Sequence, residues 1–293
     1  MNRLLLLGLL VLLSGCSTRP REGTTSARVI LPAGWDAKAA GDQVLQGLFK
    51  VTEPEVRGAH DSRFVIVGDR AYVVAAVNER EAGADAARPF VYAALSIVDL
   101  RNDRLLDMMT VARSEQAFAN ETLPVGACVA PRIKQIGPKT LRCWFASEQP
   151  GKRPSQAYYR DFDLGALTFA DAVHRQPART EKDDGVPLPW QAEFAAGQPD
   201  IVKTDTEAAL VCFEFGGVRY AGWQERAKTD GVSRSLFNID VSKDGRNWER
   251  KYRFETAQSF QSPAFVASNG AVWFSVTQGE AGRQERILFG RLE

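Results

Sequence analysis

The chain has 293 residues, 37 basic and 36 acidic side chains for a net charge of +1, and 44% hydrophobic against 25% charged residues. That is the make-up of a globular body, and it gives no electrostatic case for nucleic acid or an acidic membrane surface. No Cys/His/carboxylate cluster has metal-site spacing, and no phosphate loop, dinucleotide fingerprint or Gly-x-Ser-x-Gly elbow occurs, so neither metal nor cofactor is expected.

The first sixteen residues read MNRLLLLGLLVLLSGC. One basic residue, Arg3, precedes an apolar run from Leu4 to Leu13. A run of about ten residues is too short to cross a bilayer as a helix, so it is a signal h-region. With Leu13-Ser14-Gly15-Cys16 at its end it resembles a bacterial lipoprotein signal, and the resemblance implies that the Cys16 thiol takes the lipid. Residues 1–15 are then a leader and 16–28 a polar tether, with one domain over 29–293. The expected location is the bacterial cell envelope, lipid-anchored, in the periplasm or on the outer surface. The membrane is a partner through Cys16, and the chain is otherwise expected to be a monomer.

Val44 to Val51 is a strand candidate ahead of the first repeat. The repeat itself is HDSRFVIVGDRAYVVAA from His60, PRIKQIGPKTLRCWFAS from Pro131, PDIVKTDTEAALVCFEF from Pro199 and PAFVASNGAVWFSVTQG from Pro263. Each copy is an apolar strand, a polar turn and a second apolar strand. A further element recurs as LSIVDLRNDRL from Leu95, YRDFDLGALTF from Tyr159 and FNIDVSKDGRNW from Phe237, each with an Asp-Leu or Asp-Val pair ahead of a turn. A period of roughly 65 to 70 residues predicts an all-β protein, a β-propeller of four-stranded antiparallel blades. Five blades are expected, within a range of four to six. The last unit lacks a strand, so an N-terminal strand, Val44 to Val51, is expected to close the ring and remove two sheet edges.

The densest unit runs from Gly126 to Leu164. Ala127 to Ile136 and Leu141 to Ala146 form a hairpin about Gly137-Pro138, and Gln156 to Leu164 is a third strand with charge on one face. Its charged residues must pair or stay wet, because unpaired buried ions are costly. Cys128 and Cys143 are close enough in that hairpin for a disulfide, although buried thiols are the expected state. Ala166 to Ala196 fits the repeat worst and reads as a surface loop or a diverged blade.

Ser242-Lys243-Asp244-Gly245-Arg246-Asn247-Trp248 resembles the Asp-box of sialidase-type propellers, one residue shorter and with Asn247 where Thr is usual. Its expected role is structural: Asp244 bonds its own turn, Gly245 supplies a positive φ, and Trp248 packs on the blade. Val56 to Phe64, the VAPRI and LRCWFASEQPG segments, and the C-terminal strands are also similar to sialidase relatives. The resemblance implies an arginine triad, with Arg57 or Arg63, Arg132 and Arg153 as its cations. It also implies a Tyr nucleophile, Tyr158 or Tyr159, paired with Glu148, and an Asp acid/base.

Apart from resemblance, a propeller's site lies at one mouth of its central channel. The residues expected there are His60, Asp61, Pro131, Arg132, Pro199, Asp200, Gln261 and Ser262, with loop residues Glu79, Glu148 and Glu225. Two facing carboxylates are what glycoside hydrolysis requires. Asp61 and Glu148 are the expected pair, with Arg132 orienting substrate and His60 as a ligand-bonding or ring-holding residue. Trp190 and Trp223, in polar surroundings, are candidate sugar platforms, whereas Trp144 and Trp273 read as core. Two function classes follow: a cell-surface glycoside hydrolase of the sialidase superfamily acting on an extracellular glycan, or a non-catalytic propeller that binds glycan or a partner protein.

Overall fold

The computed structural model describes residues 29–78, 91–151, 155–176, 188–198, 210–227, 234–280 and 283–293. Cys16 with its leader and tether, Glu79, Arg153, Pro199 and Asp200 lie outside the described residues. The chain enters with β1 (Val29–Ile30), α1 (Ala37–Gly47) and β2 (Phe49–Lys50). Val44 to Gly47, expected in a strand, is therefore helical. The helix starts where Asp36 caps it, its carboxylate accepting from Lys38 N at 2.9 Å and Ala39 N at 3.2 Å, and an Ala-rich first turn follows. Gly41 lets α1 lie against a strand, since a Cβ there would sit 2.1 Å from the Arg253 carbonyl oxygen.

Four antiparallel sheets follow among the described residues, and they are the blades of a β-propeller. Blade 1 is β3 (Gly58–Val67), β4 (Arg70–Asn78), β5 (Val91–Asp99) and β6 (Arg104–Ala112), in that order. Blade 2 is β7 (Ala127–Gly137), β8 (Thr140–Glu148) and β9 (Gln156–Asp163), with β10 (Thr168–Phe169) and β11 (His174–Gln176) both pairing with β9. The misfit segment from Ala166 thus contributes the outer edge of blade 2 and then α2 (Gln191–Gly197). Blade 3 is β12 (Leu210–Phe215), β13 (Val218–Gln224), β14 (Leu236–Ser242) and β15 (Trp248–Glu255), with β1 added in parallel to β15. Blade 4 is β16 (Ser259–Ser268), β17 (Ala271–Glu280) and β18 (Arg283–Arg291), and β2 supplies its fourth strand. The N-terminal closure is present, made by Phe49 and Lys50 with a bond from Val51 N to the Ile287 carbonyl at 3.4 Å, so only the C-terminal end of the expected Val44 to Val51 strand serves.

Blade packing follows strand alternation. Phe64, Val73, Ala75, Trp273 and Phe289 fill the contact of blades 1 and 4. Tyr72, Leu95, Phe145, Tyr158 and Phe162 fill that of blades 1 and 2. Phe237, Phe254, Phe260 and Phe274 fill that of blades 3 and 4. The other face of blade 3 is covered by α2, with Trp190 and Phe194 against Trp248. On the far face of blade 2, Arg142 meets Asp161 as a fork, Nε to Oδ1 at 2.8 Å and Nη2 to Oδ2 at 2.9 Å, and lies over the Tyr159 ring. Of the unit's other charges, Arg160 donates to the Val111 and Ala170 carbonyls, Asp163 accepts from its own turn, and Arg132 reaches Asp61 of blade 1, so these charges are met mostly outside the unit. His174, expected at the surface, is exposed and stacks on Tyr159 at 4.9 Å.

Cys128, Cys143 and Cys212 are free thiols. Register sets Cys128 opposite Ser147 and Cys143 opposite Ile133, so the two strands do not bring the pair face to face. Burial pushes Cys128 and Cys212 up to about 12 and raises Cys143 as well, which disfavours the reactive thiolate at all three.

The Ser242–Trp248 turn has the expected construction. Asp244 Oδ1 accepts from Arg246 N and Asn247 N, each at 2.8 Å, and these bonds hold its carboxyl well below the usual range. Gly245 takes φ 75°, and Trp248 Nε1 donates to the Gly245 carbonyl at 3.1 Å. The recurrent Asp before the turn holds in two copies only. Asp99 and Asp163 bond their turns, but Ser242 occupies that place in blade 3, where its hydroxyl accepts from Gly245 N at 2.8 Å. Asp240 instead lies inside the sheet, fully buried.

Candidate functional site

The innermost strands pack on one another, β3 against β7 and β16, and β16 against β12, so their side chains gather about the propeller axis. Three of them carry the same irregularity. The register slips between His60 and Arg63 in β3, between Val129 and Arg132 in β7, and between Gln261 and Ala264 in β16. Each slip contains one residue in the left-handed region: Asp61 at φ 54°, Ala130 at φ 50° and Ser262 at φ 47°. A bulge of this kind re-aims the side chains around it, and a non-glycine residue persists there only where its surroundings hold it.

The bulges set the true alignment of the repeats. Ser62, Pro131 and Pro263 are equivalent, as are Arg63, Arg132 and Ala264. His60 and Pro131 are therefore not the first residues of matching strands: β3 begins at Gly58, β7 at Ala127 and β16 at Ser259, and the bulge falls within each strand. Alignment of the triplets Asp-Ser-Arg, Ala-Pro-Arg and Ser-Pro-Ala was the sequence signal that could have found this register.

Two arginines use this geometry alike. Arg63 Nη1 donates to the Ser62 carbonyl and Arg132 Nη1 to the Pro131 carbonyl, each at 2.7 Å. Each then reaches the bulge of the preceding blade. Arg132 Nη1 lies 3.0 Å from both Asp61 carboxylate oxygens, and Arg63 Nη1 lies 3.5 Å from the Ser262 carbonyl. Arg63 also stands 3.6 Å from Asp61 Oδ1. The result is one carboxylate between two guanidiniums, with the Asp61 side chain 9% exposed and Arg132 21%. Below it, the hydroxyls of Ser62 and Ser275 meet at 3.0 Å and tie blade 1 to blade 4.

Of the residues expected at the mouth, the structure joins Asp61 and Arg132 directly. His60 and Gln261 are half-buried on the strand positions just before their bulges, and Gln261 Nε2 donates to Ser259 Oγ at 3.1 Å. Glu148 is half-buried at the end of β8 and faces Ala127 across the hairpin. Glu225, at the end of β13, accepts from Asn238 Nδ2 at 2.7 Å and pairs with Arg253 at 3.2 Å, which makes it part of a network within blade 3.

Three expectations change. Tyr158 is 2% exposed, stacked on Phe145 in the contact of blades 1 and 2, and burial raises its hydroxyl pKa with Glu121 as a bonding neighbour. Its β-strand alternation puts it on the apolar face, so its phenol is seated as core. Trp223 is 3% exposed and gives its Nε1 proton to Asp240 at 2.5 Å, with Arg250 over the ring. Trp190 is 6% exposed and donates to Glu214 at 2.8 Å. Neither tryptophan is an open platform: both rings are buried, and their indole nitrogens are satisfied by carboxylates from other strands, Glu214 of β12 and Asp240 of β14.

Sequence reasoning missed the buried centre of blade 3. Burial pushes the Asp240 carboxyl up to about 6, against the opposing pull of Arg250 and the Trp223 N–H. Arg250 Nε bonds Asp240 at 2.5 Å, so this pair ties β14 to β15 inside the sheet.

No family model matches the chain, and no curated protein matches it. Among solved structures it is similar to a GH43 β-1,3-galactosidase with galactodeoxynojirimycin, at 10% identity and TM-score 0.45 over 84% of this chain and 94% of that one. It is also similar to the GH43_1 enzyme from Xanthomonas citri complexed with xylose, at 9% identity and TM-score 0.47 over 87% and 93%. A GH43 β-xylosidase/α-arabinofuranosidase from a compost microbial metagenome stands at 8% identity and TM-score 0.44 over 84% and 94%. At these identities and scores the likeness says nothing of residues or chemistry.

Proposed function

We propose that the chain is an envelope glycoside hydrolase that works at the channel mouth, with Asp61 and Glu148 as its carboxylates. The observation that carries the reading is Asp61: a nearly buried carboxylate on a left-handed bulge of an innermost strand, fixed in direction by an arginine from the next blade. Acid-base and nucleophilic groups act through fixed geometry, and strained backbone of this kind gathers at working sites. The sialidase version has less support, because Arg132 already serves Asp61 and Tyr158 is packed as core.

A second reading, a propeller that only binds a glycan or a protein, is favoured by the same clasp. Arg63 and Arg132 bond protein acceptors, which suits an inter-blade tie as well as a reaction centre. Assays of Asp61→Asn and Glu148→Gln on a panel of aryl glycosides, sialosides included, separate the two. Turnover is expected to fall at least about 100-fold in each, with melting temperature held in Glu148→Gln. Full activity in both variants would reject these residues, and an inactive wild type that binds glycan would favour the binding module.

The anchor at Cys16 belongs to this proposal and is supported by the lipoprotein-like leader. Cys16→Ser protein should leave the detergent-rich phase in phase separation. Its retention there would remove the lipid from the account.

A further inference from the structure

At the end of blade 3 away from the channel mouth, a cleft of about 640 Å³ opens beside the Ser242–Trp248 turn. Its floor is Val218, Tyr220 and Val241, which lie on the face of blade 3 that packs toward blade 4. Trp35, half-exposed in the turn ahead of α1, forms one wall with Pro32. The opposite wall is the turn itself, through Lys243, Asp244 and Asn247, and Glu249, Lys251 and Glu293 complete the rim.

Lys243 and Lys251 face Asp244, Glu249 and Glu293, while the Arg250 guanidinium turns to the opposite face of the sheet, onto Asp240 and the Trp223 ring. Most are already engaged: Lys251 with Glu293, Arg250 with Asp240, and Asp244 with its own turn. That leaves Lys243 and Glu249, one donor and one acceptor, beside an aromatic wall. A net charge on the ligand would gain nothing here, whereas a ring with hydroxyls on its rim and C–H groups on its face meets every surface offered. Addition of a peptide strand is disfavoured, because the nearby edge of β15 at Trp248 and Glu249 is already paired with β1. The volume falls within the usual range for small-ligand sites, about 300–1,000 Å³, which holds a short oligosaccharide.

We propose that this cleft is a second binding site, for a neutral saccharide, separate from the channel mouth and independent of whether the mouth is catalytic. Trp35 stacks the sugar face, and Lys243 and Glu249 bond its hydroxyls.

The test is titration of the purified protein with xylotriose, cellotriose, chitotriose and lactose, followed by calorimetry and tryptophan fluorescence, with trigalacturonate and sialyllactose as acidic comparisons. At least one neutral probe should bind, and Trp35→Ala should weaken it by at least about tenfold while Asp61→Asn leaves it unchanged. Glu249→Gln should weaken it too, and it decides the matter if Trp35→Ala proves unfolded by its melt. Failure of every neutral probe at millimolar concentration, or binding of the acidic probes alone, would overturn the proposal. So would binding lost in Asp61→Asn and kept in folded Trp35→Ala, which would put the sugar in the channel mouth.

Discussion

Trp248→Ala is expected to cost about 3–5 kcal/mol of stability, as for other buried aromatic truncations. The indole is fully buried at the start of β15, with ring centres 5.3 Å from Trp190 and 4.5 Å from Phe194. Its nitrogen also closes the turn that joins β14 to β15, so truncation opens a cavity and releases the Gly245 carbonyl together. The cavity has little means of collapse, because α2 on one side and the sheet on the other are held by separate parts of the chain. A melting temperature equal to that of the unaltered protein would mean that α2 does not cover blade 3 as described. Asp244→Ala should do much less, since that carboxylate lies on an exposed turn.

Much of this fold was legible in the sequence. Hairpins with period-2 patterning, such as Ala127–Gly137 with Thr140–Glu148, follow from alternation between breakers and need no tertiary information. The closure of the last blade followed from an unpaired edge. What misled was local pattern read without its neighbours. Val44 and Leu45 alternate poorly for a strand, and they belong to a helix because Asp36 caps its first turn and Gly41 allows close approach to β15. Trp190 and Trp223 stand among polar residues in sequence, yet both indoles are buried, and their acceptors, Glu214 and Asp240, come from β12 and β14, 24 and 17 residues further on.

The pairing of Asp61 with Arg132 was not legible in the sequence, although both residues were singled out there. Asp61 and Arg132 were both visible as channel-mouth residues. A pattern of one strand cannot show that the arginine of blade 2 reaches back to the carboxylate of blade 1, because the bulge that brings them together is an extra residue in the register. Arg132 was expected to hold substrate, and it holds Asp61. Arg63 repeats the gesture toward blade 4.

That exchange gives a measurable coupling. Arg132→Ala should destabilise the protein by about 3 kcal/mol, toward the low end for a broken buried pair, because Arg63 remains near the abandoned carboxylate. Asp61→Asn should cost less: Asn keeps an acceptor for the guanidinium and tolerates the left-handed φ that the bulge demands. Together the two changes should cost about 1–2 kcal/mol less than their sum, since removing Arg132 does little harm once the charge it neutralises has gone. Arg63→Ala should couple to Asp61 more weakly, its nearest approach being 3.6 Å against 3.0 Å for Arg132. Strict additivity of Arg132→Ala and Asp61→Asn in chemical denaturation would show that the clasp contributes nothing. The positive φ of Asp61 would then be a property of the bulge alone, shared with Ala130 and Ser262, and would lose its value as a mark of the site.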